Sequence, residues 1–162
     1  MEIRRVQLPE IAGTLFLSHL PGSRETFPEA QTAISKLGIE TVVCLATEEE
    51  IRREAPAYFD AIQQESLAWS QIDFPIPIRG VPADLRSLLQ TVERLVADLR
   101  RGAKVLVHCL TGVGRTGTVG MCMLIGIGLD PLEAAVRLAD AEAGPESDSQ
   151  ESLVDRVAEL RV

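Results

Sequence analysis

The chain has 162 residues, 46% of them apolar and 25% charged, a mixture that excludes collagen-like, low-complexity and disordered classes and fits one core, so a single domain over residues 1–162 is expected. Sixteen Lys and Arg against 24 Asp and Glu give a formal charge of −8, which argues against nucleic acid as a partner. The longest uncharged apolar run, Thr116 to Leu129, has 14 residues and four glycines, too short to span a bilayer.

Taken in chain order, Thr14 to His19 reads as a strand ended by the turn Pro21-Gly22-Ser23, and Pro28 to Leu37 as a helix closed by Gly38. Ile39 to Leu45 follows as a buried strand. Thr47-Glu48-Glu49-Glu50 places acids where a helix begins, and Trp69 to Ile76 returns as a strand. From Asp84 to Leu99, Leu85, Leu88, Leu89, Val92, Leu95, Val96 and Leu99 recur at helical spacing, with Gly102 just past the end. Lys104 to His108 is a short valine- and leucine-rich strand, the chain is helical from Arg115, and Pro131 to Ala141 and Ser149 to Arg161 complete it as amphipathic helices. The alternation predicts an α/β domain with a central, mostly parallel sheet flanked by helices, whose ligands bind beyond the carboxyl ends of the strands. His108 and Cys109 stand at such an end.

Met1-Glu2-Ile3-Arg4-Arg5 does not open an export signal. Three cysteines (Cys44, Cys109, Cys122) and two histidines (His19, His108) form no disulfide or metal-binding spacing. The expectations are a cytoplasmic monomer without metal or cofactor, binding neither nucleic acid nor membrane.

Chemistry concentrates in Val105-Leu106-Val107-His108-Cys109-Leu110-Thr111-Gly112-Val113-Gly114-Arg115-Thr116-Gly117. A tight loop between a strand end and a helix start turns successive N–H groups inward, and the helix dipole adds positive potential, so Leu110, Thr111, Gly112, Val113, Gly114 and Arg115 form an anion cradle. Arg115 adds a planar fork for two phosphate oxygens. Thiols in such places fall to about 3.5–7.5 from about 8.5, which makes Cys109 a thiolate and a nucleophile toward phosphate. The Thr116 hydroxyl can stabilise the sulfur when it leaves. A nucleotide-binding loop would need Gly-Lys-Ser/Thr and carries no Cys.

His-Cys, five residues, Arg, Thr resembles the signature of the cysteine-based protein tyrosine phosphatases. With Phe74-Pro75-Ile76-Pro77 upstream and Ser147-Asp148-Ser149-Gln150 downstream, the chain is most similar to the small dual-specificity branch and its kinase-associated phosphatase (cyclin-dependent kinase inhibitor 3)-like group. The resemblance implies a metal-independent protein phosphatase acting through a phosphocysteine on Cys109. Leu110, Thr111 and Val113 stand where relatives acting on inositol lipids carry lysines, which favours phosphotyrosine proteins as substrates. The alternative is a pseudophosphatase that binds phosphorylated partners without turnover.

One departure matters. Relatives place a general-acid Asp directly after the Pro-Ile-Pro-like stretch, where this chain has Ile78. Asp84 is the first candidate substitute and Asp73 the second, although Asp84 is equally a helix cap. The remaining candidates have plainer readings: His19 a surface or turn residue, His108 a buried orderer of the loop, Glu48-Glu49-Glu50 a solvated helix start, Trp69 core. Cys44 and Cys122 read as inert thiols, with Cys44 a candidate to trap oxidised Cys109 as a disulfide.

Overall fold

A computed structural model describes residues 1–161. Five short strands, β1 (Ile3–Val6), β2 (Thr14–Ser18), β3 (Thr41–Cys44), β4 (Ser70–Asp73) and β5 (Lys104–His108), form one sheet in the order β1-β2-β5-β3-β4. The last four are mutually parallel and β1 runs antiparallel along β2. Seven helices complete the chain: α1 (Phe27–Lys36), α2 (Glu48–Glu54), α3 (Pro56–Gln63), α4 (Leu85–Arg100), α5 (Gly114–Ile127), α6 (Pro131–Asp140) and α7 (Asp148–Glu159).

The expected α/β class and mostly parallel sheet are found, and β5 has the expected bounds. Strands β3 and β4 are shorter than their apolar runs: Ile39 lies before β3, and Leu45 and Ile76, though buried and still bonded to the neighbouring strand's end, lie past the regular ladder. Two elements went unread. Strand β1, Ile-Arg-Arg-Val, carries two arginines that hide its period, and α3 starts at a proline in a stretch without a strong apolar stripe.

Alternation along the strands builds two cores. Leu15, Leu17, Val43, Val105 and Val107 face one way, toward the apolar faces of α4, α5 and α7. Phe16, Val42, Cys44 and Leu106 face the other, among Phe27, Ile34, Tyr58 and Trp69. Trp69 is core, as expected. Helix α5 is buried along its whole length and packs against α4, α6 and α7. Its Gly117 lets the segment at Gly144 pass so closely that a Cβ there would lie 2.1 Å from the Gly144 nitrogen. Among the described residues no helix is long and apolar enough to cross a membrane. The carboxyl ends of β2, β5, β3 and β4 open toward one side of the sheet, where four loops converge.

Candidate active site

Between β5 and α5 the chain makes its tightest turn. Gly112 has φ +79°, in the left-handed region, and is wedged so that a Cβ would lie 2.4 Å from the Ser18 carbonyl oxygen. Here glycine is required twice over, for its conformation and for its size. Five of the loop's carbonyls are engaged. Cys109 O accepts from His108 Nδ1 at 3.1 Å, Leu110 O from the Leu20 amide at 3.1 Å and Gly112 O from Arg4 Nη2 at 2.6 Å. Val113 O accepts from the Gly117 and Gly144 amides at 2.8 and 3.2 Å, and Gly114 O from Thr118 Oγ1 at 2.7 Å. The amides of Leu110, Thr111, Val113, Gly114 and Arg115, by contrast, donate no hydrogen bond to any described residue. A run of fixed, unspent N–H groups at a helix start is an anion cradle.

The sixth amide, Gly112 N–H, donates to Cys109 Sγ at 3.2 Å. Burial pushes this thiol up, but the Thr116 hydroxyl and amide, the Gly112 amide and the Arg115 charge outweigh it, so its pKa is lowered. Thr116 Oγ1 is buried and makes no hydrogen bond in ordinary geometry. Cys44 and Cys122, buried without such donors, are both pushed up to about 12. The inert reading of these two holds. Cys44 packs in the core on one sheet face and Cys109 in the core on the other, so the expected trap is corrected: side chains on opposite faces cannot close a disulfide without moving the backbone.

Arg115 is buried, and its end-on fork is occupied: Nη1 donates to Glu50 Oε2 at 2.8 Å and to Ile76 O at 2.9 Å, and Nη2 to Glu50 Oε1 at 2.6 Å. A guanidinium carries five N–H donors. Nε–H and the second Nη2–H are left, and these form the side-on fork that suits two oxygens of a phosphate. Glu50 is itself only 3% exposed. Burial alone would raise its carboxyl, yet Arg115 and the Thr47 amide and hydroxyl hold it below the usual range, so the pair is charged. This corrects the reading of Glu48-Glu49-Glu50 as a solvated run: Glu50 turns inward. The signal was present in Thr47-x-x-Glu50, a capping box, and this box fixes the carboxylate that fixes Arg115.

His108 is wholly buried, and burial lowers its pKa to about 4, with the charges of His19 and Arg115 adding to the effect. Its ring is therefore neutral. Because the Cys109 carbonyl can only accept, Nδ1 carries the proton and Nε2 accepts from the Tyr58 hydroxyl at 3.1 Å. Gln71 donates to Tyr58 Oη at 2.8 Å and accepts from Trp69 Nε1 at 2.9 Å. The role of His108 as an orderer of the loop is thus seen in a network that reaches the sheet edge. His19, expected at the surface, is only 5% exposed and bonded to Glu25 Oε2 at 2.8 Å. Ser18, Leu20 and Pro21 on either side of it are buried too.

Across from the cradle, residues 74–82 follow β4. Phe74 and Ile76 donate from their amides to Cys44 and Leu45 carbonyls, continuing the register of the sheet. Ile78 is 58% exposed. Arg79, at φ +58°, donates to Glu146 O, Ser147 Oγ donates to Arg79 O, and Gln150 Nε2 donates to Gly80 O, so the Ser147–Gln150 segment does reach this loop. Asp84 is the N-cap of α4, accepting from Arg86 N at 3.0 Å and Ser87 Oγ at 2.7 Å, and these bonds hold its carboxyl below the usual value. The cap spends both oxygens as acceptors and favours the charged form, which weighs against Asp84 as the first-choice proton donor. Asp73 accepts from Gln71 and lines a cleft of about 150 Å³ with Glu48, Ile51, Phe59 and Pro75 at the β4 edge of the sheet. No group of three or more His, Cys, Asp or Glu able to hold a metal ion is found among the described residues.

Over residues 18–156 the chain matches the family described as "Swiss Army Knife protein, DSP-PTPase phosphatase domain". It is 28% identical to cyclin-dependent kinase inhibitor 3 of Rattus norvegicus and 26% identical to that of Homo sapiens, each over 86% of this chain and 67% of the relative. Among solved structures it is similar to kinase associated phosphatase with the catalytic site cysteine substituted by serine (TM-score 0.83, 22% identity, 99% of this chain and 94% of that one). It is also similar to Tk-PTP in the active form (TM-score 0.73, 26% identity, 91% and 92%). The chain belongs to the dual-specificity phosphatase family.

Proposed function

We propose that this family member, acting as one phosphatase domain over residues 1–162 in a reducing, cytoplasmic setting, hydrolyses phosphate monoesters on proteins through a phosphocysteine. The observation that carries the reading is the set of five unspent loop amides around a thiol of lowered pKa. In this mechanism the amides of Leu110, Thr111, Val113, Gly114 and Arg115 and the side-on fork of Arg115 bind the phosphoryl oxygens. Cys109 Sγ attacks phosphorus in line as the bond to the leaving oxygen breaks. Water then attacks the phosphocysteine, phosphate departs, and the sulfur leaves as a thiolate aided by the Gly112 amide and Thr116.

With Ile78 at the acid position and Asp84 committed as a cap, the leaving oxygen departs largely as an anion. Phenols manage this better than alkyl alcohols, so the favoured substrate is phosphotyrosine. The uncharged Leu110, Thr111 and Val113 in a chain of −8 argue further for protein over polyphosphorylated inositol lipid. The curated relatives' name, cyclin-dependent kinase inhibitor 3, supports a phosphorylated, kinase-related protein as partner.

A comparison of an aryl phosphate, phosphotyrosine peptide, phosphothreonine peptide and inositol phosphate under chelator tests this. Turnover in the order aryl, tyrosine, threonine is expected, and fastest turnover on the inositol phosphate would overturn the substrate class. The exposed Ile78 also favours a second reading, a phosphate-binding pseudophosphatase. Its mark would be phosphate binding by the wild-type chain with no turnover of even the aryl ester.

A further inference from the structure

The cradle needs its peptide planes set before an anion arrives, since a single reversed plane would present a carbonyl oxygen to the phosphate. Leu110 O and Val113 O are held by backbone amides, and Cys109 O and Gly114 O by side chains within four residues of them. Gly112 is the exception. Its carbonyl is held by a side chain from the far edge strand: Arg4 Nη2 donates to it at 2.6 Å. The Gly112–Val113 peptide is trans, so a carbonyl aimed at Arg4 turns the Val113 N–H the opposite way, off the Arg4 side. Glycine at 112 lowers the barrier to reversing that plane, so something outside the loop has to hold it.

Arg4 is itself fixed. Nη1 donates to Ala141 O and Glu142 O, each at 3.0 Å, where the carbonyls left over at the end of α6 attract a cation. One guanidinium thus ties the antiparallel edge strand, the end of α6 and the phosphate loop together. Lys could supply the charge but could not make three such bonds in one plane.

We propose that Arg4 is a positioning residue that sets the Gly112–Val113 peptide for phosphate binding and, by fixing Gly112 from that side, steadies the neighbouring Thr111–Gly112 peptide whose N–H donates to the Cys109 sulfur. This rests on the phosphatase reading for its consequence, but its geometry does not depend on turnover. Arg137 provides the control: it also joins α6 to the N-terminal segment, through Nη1 to Gln7 O at 2.8 Å, without touching the loop.

The test uses two measurements on the full chain carrying Arg4→Met, Arg4→Lys or Arg137→Met. Binding of inorganic phosphate is read calorimetrically in a Cys109→Ser background, and the pH midpoint for alkylation of Cys109 by iodoacetate is read with the thiol present. Arg4→Met should weaken phosphate about tenfold or more, the loss of a charge-assisted bond's effect, and raise the alkylation midpoint by about one unit. Arg4→Lys should fall between it and wild type, and Arg137→Met should match wild type in both. Unchanged affinity and midpoint in Arg4→Met would overturn the proposal, as would an equal loss in Arg137→Met. Should Arg4→Met not fold, Arg4→Lys carries the same two readouts. Failure of the parent protein to bind phosphate would refute the phosphatase reading instead, while the alkylation midpoint would still decide the role of Arg4.

Discussion

Two loops at the carboxyl end of the same sheet are built in opposite ways. The one after β5 is determined from every side: five of its carbonyls are tied outward, Gly112 is wedged against Ser18, and Arg115 is held by a carboxylate two strands away in sequence order. The one after β4 is tied to the sheet and to Arg115 as far as Ile76 and to the Glu146–Gln150 segment at Arg79 and Gly80, but presents Ile78 to solvent. On the proposed mechanism, binding phosphate and attacking it are specified separately from helping the leaving group depart, and the structure fixes the residues assigned to the first. The comparison breaks first if the cradle loop turns out to be dispensable. Cys109→Ser should lower turnover of an aryl phosphate on the order of 10⁴-fold or more while inorganic phosphate still binds. Comparable activity in that variant would remove the covalent mechanism.

The Glu50–Arg115 pair gives the next largest effect. Glu50→Ala leaves a guanidinium buried without its partner, a change that costs about 3–5 kcal/mol in such settings, or about 10 °C in Tm for a chain of this size. Thermal unfolding reads it directly. A Tm within error of wild type would mean that Arg115 finds water or another acceptor, and that the loop is less rigidly fixed than its contacts imply. Glu50→Gln, which keeps the shape, should lose less.

Third comes the pH dependence of stability. Below about pH 6.5 the imidazole of the unfolded chain takes up a proton that folded His108 refuses until about pH 4, so stability falls as pH drops through that window. Over the full window the contribution is on the order of 3 kcal/mol. Urea unfolding between pH 7 and 4.5 should show the decline, and His108→Gln should flatten it. An equal slope in the variant would put the titrating group elsewhere.

How legible this was in the sequence differs between the two loops for a physical reason. The cradle is local: Cys109, Gly112, Gly114, Arg115 and Thr116 act within eight residues, so their order alone announced the site. The sheet was legible too, because β2, β3 and β5 are short apolar runs between helices. What could not be read were the long-range ties. Arg4 lies in a strand with no apolar period, Glu50 was one of three adjacent acids, and His19 looked exposed because a turn follows it. The roles of Arg4 and Glu50 depend on partners 65 to 138 positions away, which a local pattern does not encode. Asp84 shows the converse, since its role as a cap is local and is the one its hydrogen bonds display.

The contrast can be sharpened by adding what the second loop lacks. Ile78→Asp restores a carboxyl at the family's acid position, on a residue already exposed at the loop. General acid catalysis contributes about 10²–10⁴-fold when well placed, and a carboxyl introduced without tuning should reach the low end at best. The gain should appear on alkyl phosphates and hardly at all on aryl phosphates with acidic phenols. An equal change on both would show that position 78 affects binding, not protonation of the leaving oxygen.

The smallest effect belongs to Asp84, and it is informative because it is small. Its oxygens accept from Arg86 N and Ser87 Oγ at the start of α4. Asn offers an oxygen to the same amide and is as good a cap as Asp, so Asp84→Asn should leave Tm nearly unchanged, whereas Asp84→Ala should lower it by a few degrees. Neither change should alter how the rate depends on the acidity of the leaving group, since a carboxyl whose bonds favour the charged form is a poor proton donor near neutrality. The decisive measurement is the slope of log kcat/KM against leaving-group pKa for a series of aryl phosphates. If the slope steepens in Asp84→Asn while Tm holds, the carboxyl leaves its cap in the complex and donates a proton after all, and the loop after β4 must then be mobile enough to bring the start of α4 over the cradle. If the slope is the same in Asp84→Asn and Asp73→Asn, departure of the leaving oxygen is unassisted by either residue, and the chain's preference for good leaving groups follows from Ile78.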